Sequence, residues 1–384
     1  MVLPGTVTRT DGAASAVLDE ERPRDGGGPI GRTPRGKVRR HAAMRPGLGG
    51  FVLRRILLLP VSILMVIVIS FFLIALIPQS TALSIAGEGA SPQRIAQINH
   101  LLGLDKPLIN QFGDYLDRLA HLNLGTSFYT GGSVRQEIWD RIPASAELIL
   151  PGMILAIIMG TAIGSLAAAF AGRLPDKAER VYSTVLHSFP EFFLALLLLY
   201  LVFFKLGWAP APTGRLDLGD PVPPHVTGFM TIDSALAGQW TTFKHACEHL
   251  ILPTLVHGFA GSVLYARITR AALSESLNSK HVEFARAIGL PQSQIVRYSL
   301  LDVRTSLLTF IALGTATLVG GSAIIESIFN WNGIGQWGVT AMTNLDAPDI
   351  QGFVLVTGLF TLTVFVLLDV VTSILDPRIS ITHD

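Results

Sequence analysis

Residues 274–308, SESLNSKHVEFARAIGLPQSQIVRYSLLDVRTSLL, decide how this chain reads. They form a charged, helix-forming island between two long apolar runs. Asn278 or Ser279 can cap a short helix, since either side chain accepts a bond from a free first-turn amide. Glu283 and Arg286, three apart, can pair on the outer face. Val282, Ala285 and Ile288 make an apolar stripe beside the small Ala287 and Gly289. Gly289 suits a helix C-terminus, and Pro291 stops the helix or starts the next one. The product is a short amphipathic helix that either lies on lipid or plugs a groove of another protein.

The flanking runs fix the class. Hydrophobic residues make up 49% of the 384, and charged residues only 15%, against roughly 25% in soluble domains. The chain reads as an all-α membrane protein. A net charge of +1 gives no reason to expect nucleic acid. The single Cys247 cannot form an internal disulfide, and no CxxC or Cys/His spacing is read, so no metal site is expected. Six runs are long enough to cross a hydrocarbon layer of roughly 30 Å: about 56–77, 148–171, 181–204, 250–269, 305–325 and 353–375. The third holds His187, Ser188, Pro190 and Glu191, which predicts a kinked helix that enters the membrane late.

Orientation follows from the basic residues. About eleven Lys and Arg precede or open the first run. The next basic loops hold Arg173, Lys177 and Arg180, then Arg270, Lys280, Arg286, Arg297 and Arg304, whereas 326–352 holds none. The positive-inside rule then places both termini and the 271–304 loop in the cytoplasm. Residues 1–50, rich in Gly, Pro and Arg, are expected to be a disordered cytoplasmic extension lying near anionic lipid, and not a signal peptide. Within them Gly31 to Lys37 has phosphate-loop spacing, but Val38 stands where Ser or Thr should hold magnesium. Residues 51–379 form the transmembrane domain and 380–384 a tail. The 78–143 segment is expected to be ordered and external, with short amphipathic helices at 95–102 and 108–122 and a turn at Gly131-Gly132. Residues 207–249 read as an irregular loop.

The pattern Glu283-x-Ala285-x-Ala287-x-Gly289-Leu290 resembles the coupling loop of ABC-importer permeases. The run from Ala266-Arg-Ile-Thr-Arg270 to Gly289 is similar to the dipeptide/oligopeptide (peptide/nickel) branch. LRRILLLP at 53–60, LGLDKP at 102–107, LGTS at 124–127, RIPASAEL at 141–148, SFPEF at 188–192, LGWAP at 206–210, ESIF at 326–329, Gly333-Ile-Gly335 and LDPR at 375–378 carry the likeness from about 51 to 379. Departures are Lys280-His281 in place of an acidic-aromatic pair, Ile288 in place of a basic residue, Asn332 and Ser306 in place of prolines, and the N-terminal extension.

The resemblance implies a type I importer permease fold with about six transmembrane helices in a cell (plasma or inner) membrane. It implies a heterodimer with a second homologous permease, two ATPase subunits and an external substrate-binding protein. The partners would bind ATP and Mg; this subunit would carry no cofactor and no catalytic residue. Glu283, Ala285, Arg286, Ala287, Gly289 and Leu290 become the expected ATPase-coupling residues. Ser188, Pro190 and Glu191 are candidates for bordering the translocation path, although Glu147 and Glu191 near helix starts also suit structural, dipole-stabilised roles. Asp369 is a candidate pair for a partner-subunit residue. Tyr129, Thr130, Gly131 and Gly132 are candidates for binding-protein contact. His257 and Tyr265 are expected to pack between helices. Phe329, Trp331 and Trp337 suit an interfacial belt or, alternatively, binding-protein contact. Peptides are the expected cargo; nickel chelates, glutathione, haem and oligosaccharides suit the same machinery. A stand-alone secondary transporter is the rival class, and it would need clustered acidic residues within spans, which are not read here.

Overall fold

The computed structural model describes residues 48–75, 86–87, 89–101 and 103–375. The extension to residue 47, with its phosphate-loop-like run, and the tail from 376, including 380–384, lie outside them. Thirteen helices carry the described chain. They are α1 (Leu48–Ala75), α2 (Pro92–Leu101), α3 (Leu108–Ala120), α4 (Val134–Ala169), α5 (Leu174–Ser188), α6 (Glu191–Leu198), α7 (Met230–Leu236), α8 (Trp240–Leu277), α9 (Lys280–Ala287), α10 (Gln292–Asp302), α11 (Arg304–Ile328), α12 (Ile334–Thr343) and α13 (Ala347–Leu375). Helix α6 continues as a π-helical stretch over Leu199–Lys205. Among the described residues there is no strand, only one antiparallel bridge between Thr126 and Ser133.

Helices α1, α4, α8 and α13 are long and apolar enough to cross a membrane, and α5 with α6 makes a further, broken span. Helix α11, 25 residues long, answers the remaining apolar run. The break between α5 and α6 falls at Phe189-Pro190 and turns the chain by 96°, far more than the expected kink. Proline lacks the amide that would continue the ladder, and the residue before it avoids the helical region. Phe189 accordingly has φ −100° and ψ 126°.

Helices α4 and α8 pack along one another and form the spine of the fold. At 36 and 38 residues they are about 54 and 57 Å long at 1.5 Å per residue, longer than a hydrocarbon layer of roughly 30 Å requires. Hydropathy places their starts at 148 and 250; the structure places them at Val134 and Trp240. The extra turns of α4 are held by tertiary burial of Val134 and Ile138 against Ile334 and Trp337, with Pro143 and Pro151 accommodated inside the helix. The expected external segment therefore ends at Ser133. Within the loop expected at 207–249, residues 230–236 form α7 and 240–249 the first turns of α8, while 207–229 stays irregular. Residues 326–352 likewise fold into α12 and the start of α13, and Leu48 to Gly50 already belong to α1.

The aromatic residues expected at an interfacial belt are instead core. Phe329 and Trp331 pack with Ala144, Leu148, Ala195, Leu252, Val256 and Ile325, and Trp337 with Val134 and Ile138. Trp331 is 1% exposed, and its indole N–H donates to the Ala144 carbonyl at 2.8 Å. Asn330 and Asn332 flank it at φ 52° and 57°, a left-handed conformation that asparagine tolerates better than most residues. This backbone turns the indole inward and removes the aromatic signal from the surface.

Candidate functional site

Helix α9 is built differently at its two ends. Neither expected cap forms at the N-terminus. Ser279 sits at the N-cap position but donates its hydroxyl to the Ser276 carbonyl at 2.6 Å, and the Asn278 amide donates to the Ser274 carbonyl at 2.9 Å. At the C-terminus Gly289 adopts φ 81°. Its N–H donates to the Arg286 carbonyl at 3.0 Å, and the Leu290 N–H donates to the Ala285 carbonyl at 3.1 Å. This is a Schellman closure, which satisfies two carbonyls that the helix end would otherwise strand.

The expected apolar stripe splits. Val282 is buried in a cluster with Ala168, Leu273, Leu277 and Ile295, and Ala285 and Leu290 pack against that cluster. Ala285 and Leu290 thus serve this chain's own packing. The outward face carries Glu283, Phe284, Arg286, Ala287, Ile288 and Gly289, with Phe284 67% exposed. Sequence reasoning passed over Phe284. No ion pair joins Glu283 to Arg286 among the described residues, so both charges face outward without each other. His281 Nε2 lies 3.0 Å from Asp302 Oδ2 and closes α9 against α10.

An ion network lies at the same end of the spine. Arg270 Nε is 2.6 Å from Asp176 Oδ1 and 3.4 Å from Glu179 Oε2. Asp176 also accepts from the Gly172 N–H at 2.9 Å and from Arg180 at 3.1 Å. Arg267 donates to the Ser183 carbonyl at 3.0 Å. Helix α5 is thereby tied to α8 a few turns before α9. In the sequence Arg267 and Arg270 carry the orientation signal and part of the family resemblance, and their partners on α5 are legible only in the fold.

Of the three path candidates, the break brings Pro190 and Glu191 to the start of α6 and leaves Ser188 on the exposed last turn of α5, its hydroxyl donating to the Thr184 carbonyl at 2.7 Å. Glu191 Oε1 lies 2.6 Å from Nδ1 of the fully buried His257. Gly152 leaves room for the pair, since a Cβ there would meet His257 Cβ at 2.6 Å, whereas one on Gly321 would make ordinary contact with Glu191 Oε2 at 3.5 Å. His257 and Tyr265 are buried between helices, as expected. The Asp369 side chain lies outside the described residues.

Carboxylates at the opposite end cap helices. Glu147 accepts from the Met230 and Thr231 amides at 3.0 and 2.7 Å, the free donors of the first turn of α7. Arg215, largely buried, reaches Glu147 Oε2 at 3.7 Å. Burial lowers the Arg215 pKa, and Glu147 and Asp233 offset part of that. Glu326, fully buried, does for α12 what Glu147 does for α7. It accepts from the Gln336 N–H at 2.8 Å and from Ser145 at 2.7 Å, and Ser145 in turn accepts from the Ile334 N–H at 2.7 Å. Three sequence motifs, at 141–148, 326–329 and 333–335, meet here. Gly333 is required because a Cβ would lie 2.4 Å from Ser145 Oγ.

The candidate tip at Tyr129, Thr130, Gly131 and Gly132 is a closed turn, with Gly131 at φ 71°. The Ser127 hydroxyl and the Tyr129 N–H both donate to Asp346 Oδ2 at 2.8 Å, and the Thr130 hydroxyl donates to Glu137. Beside it lies a recess of about 160 Å³ whose lining includes Tyr129, Thr130, Arg141, Trp337, Asp346 and Asp349. Tyr129 is 67% exposed.

Comparison with known proteins covers nearly the whole spine. The family model "Binding-protein-dependent transport system inner membrane component" matches residues 160–381, and the model of its N-terminal part matches 48–149. The chain is 37% identical to the di/tripeptide transport system permease protein DppB of Pseudomonas aeruginosa, across 86% of this chain and 98% of that protein. It is 36% identical to the probable D,D-dipeptide transport system permease protein DdpB of Escherichia coli, across 82% and 92%. It is 31% identical to the glutathione transport system permease protein GsiC of Salmonella typhi, across 86% and 98%.

Proposed function

The chain belongs to the family of binding-protein-dependent transport system inner membrane components, and on that premise we propose that it imports di- or oligopeptides. Membership makes it a multi-pass permease of an ABC importer and not an enzyme, with ATP hydrolysed by partner ATPases. A partner permease, ATPases and a substrate-binding protein belong to such a machine in general. Here the reading is that the second permease is a different chain and that ATP and Mg are bound by two ATPases and not by this subunit. The uneven Lys and Arg distribution supports cytoplasmic termini and a cytoplasmic α9.

The observation that carries the mechanism is the outward face of α9. A Schellman-closed helix of two turns shows a large apolar side chain, Phe284, flanked by two exposed charges, Glu283 and Arg286, with no ion pair among the described residues. Such a face suits a cleft of an ATPase subunit, where the aromatic ring fills the groove and the charges meet complementary ones. Ala287 and Gly289 let the helix approach closely. ATP-driven closure would pull α9 inward, and α9 is packed on α8, which Arg270 ties to the first turns of α5, the helix that ends at the Pro190 break. The alternating-access movement would thus reach Glu191 and His257 through rigid helices. At the opposite end, Tyr129 to Gly132 and the polar recess beside them form the proposed contact for the substrate-binding protein.

Peptide cargo draws on the names of the relatives; glutathione, itself a tripeptide, is the second reading that the Salmonella relative favours. Uptake of labelled dipeptide, tripeptide and glutathione by proteoliposomes holding the complete complex with its binding protein separates them. ATP-dependent accumulation of dipeptides is expected. Accumulation of nickel chelate, haem or oligosaccharide with none of peptide would overturn the cargo.

A further inference from the structure

We propose that Asp217, Asp220 and His245 bind a divalent transition-metal ion of the zinc class, with His249 holding Asp217 in place from the second coordination layer. The site joins the 206–229 loop to the first turns of α8, at the end of the spine opposite α9, and does not depend on the cargo of the importer.

His245 and His249 are four apart, so they project from one face of α8. The loop lays Asp217 and Asp220 against that face. His245 Nδ1 is 2.9 and 3.0 Å from the two Asp220 oxygens and 3.9 Å from Asp217 Oδ2. One ligand atom from each of the three residues lies within 4.8 Å of the others. Zinc bonds of about 2.0–2.1 Å in a tetrahedron place neighbouring ligand atoms about 3.3 Å apart, so the observed spacings bracket what an ion needs. His249 Nε2 lies 3.1 Å from Asp217 Oδ1, and its side chain is 2% exposed, which suits an outer-layer group that orients a ligating carboxylate. The Asp217 side chain is half exposed, leaving an entry route and room for a water ligand.

The donor set chooses the ion class. Calcium and magnesium favour oxygen-only cages, whereas imidazole with carboxylates suits zinc, cobalt or nickel. The sequence reading looked for Cys/His spacing and passed over the His245–His249 pair because its partners come from a loop some thirty residues earlier. A bound ion would hold that loop to α8 and so steady the loop that carries Arg215 to Glu147.

The test is calorimetric titration of Zn²⁺ into the metal-stripped full-length protein in detergent, with Co²⁺ as the spectroscopic probe. One saturable Zn²⁺ per chain is expected, with visible Co²⁺ bands that Zn²⁺ abolishes. His245→Ala and Asp220→Asn should remove this binding, and His249→Gln should weaken it roughly 10- to 100-fold, as loss of an outer-layer partner does elsewhere. His100→Ala and His121→Ala should leave it unchanged. Zn²⁺ should raise the melting temperature of the unmodified protein but not that of Asp220→Asn, whose near-identical shape preserves the fold if His245→Ala does not. Absence of saturable binding overturns the proposal, leaving two His–Asp hydrogen-bonded pairs. Binding unchanged in both His245→Ala and Asp220→Asn overturns it too, because the ion then sits elsewhere.

Discussion

Gly164 on α4 comes so close to α8 that a Cβ built on it would lie 2.4 Å from the Ala266 carbonyl oxygen. One turn earlier, a Cβ on Gly160 would lie 2.5 Å from the Ser262 carbonyl oxygen. These are backbone-to-backbone approaches, and side chains cannot move aside to relieve them. Gly152, Ala156, Gly160, Gly164 and Ala168 repeat every fourth residue and are all buried. They form the groove into which α8 fits. In lipid, helices gain little from apolar burial against one another, so close packing of small residues becomes a main source of adhesion.

Gly160→Ala and Gly164→Ala are therefore expected to destabilise the domain by about 1–3 kcal/mol each, the usual cost of overpacking, and valine should cost more. Gly113→Ala provides the contrast. It lies in α3 with open space where the Cβ would go, and replacing a helical glycine should gain up to about 1 kcal/mol. Thermal unfolding of the detergent-purified variants measures both. Equal melting temperatures for Gly164→Ala and the unmodified chain would contradict the contact.

The ladder is legible in the sequence as a four-residue repeat of small residues, a period that mean hydropathy does not register. Hydropathy shows the six runs, and the stripe Val282, Ala285 and Ile288 closed by Gly289 shows the short helix, because each is a local pattern. Hydropathy missed the outer turns of α4 and α8 because Val134, Ile138 and Trp240 belong to segments too polar on average to register. It also misplaced Trp331 and Trp337, whose burial depends on a turn through Asn330 and Asn332 that brings α12 back over α4. The pairings Glu191–His257, Arg270–Asp176 and Glu326–Ser145 join residues from separate helices. Their chemistry was visible in each residue, and their partners were not.

Acid should loosen the 226–239 region before the membrane core. Burial pushes the Asp233 carboxyl up, but bonds donated by Thr227, Gly228 and Val226 outweigh it and hold the group below the usual carboxylate range. A depressed folded-state pKa contributes stability that is full above the unfolded value, about 3.9, and is lost as pH falls through the lower folded value. Protease cleavage between Val226 and Gln239 is thus expected to rise below about pH 4, and Asp233→Asn should show that susceptibility already at pH 7. A cleavage rate independent of pH between 6 and 3 would rule out this role.

Trp331→Ala should be among the most damaging single changes away from α9. It removes a fully buried indole from the apolar cluster around Ala144 and Leu148 and takes away the hydrogen bond to the Ala144 carbonyl. Large-to-small aromatic substitutions in cores cost about 3–5 kcal/mol. Trp331→Phe keeps most of the volume and should cost about 1–3 kcal/mol, chiefly for the lost hydrogen bond. Denaturation midpoints of the two variants give the order, and near-wild-type stability of Trp331→Ala would contradict the burial.

The coupling role of α9 makes the most demanding prediction, and the structure changes where it should be tested. Ala285 packs toward Ile295 and the end of α8, so a bulky residue there would disturb this subunit before any partner is met. Phe284 and Ala287 point outward and touch little of their own chain. Phe284→Ala should therefore leave the melting temperature of the isolated subunit unchanged while weakening ATPase docking by about 2 kcal/mol or more, the size of an interface hot spot. At 1.4 kcal/mol per tenfold, that is a loss of about 30-fold in affinity. Ala287→Trp should give the same separation of stability from docking by steric exclusion. Gly289→Val differs, since φ 81° is unfavourable for a β-branched residue, and should cost stability and docking together. Copurification of the ATPases with each variant, followed by transport in proteoliposomes, reads the outcome. If Phe284→Ala and Ala287→Trp both retain the ATPases and full transport, the outward face of α9 is a solvent face and the ATPase contact lies elsewhere.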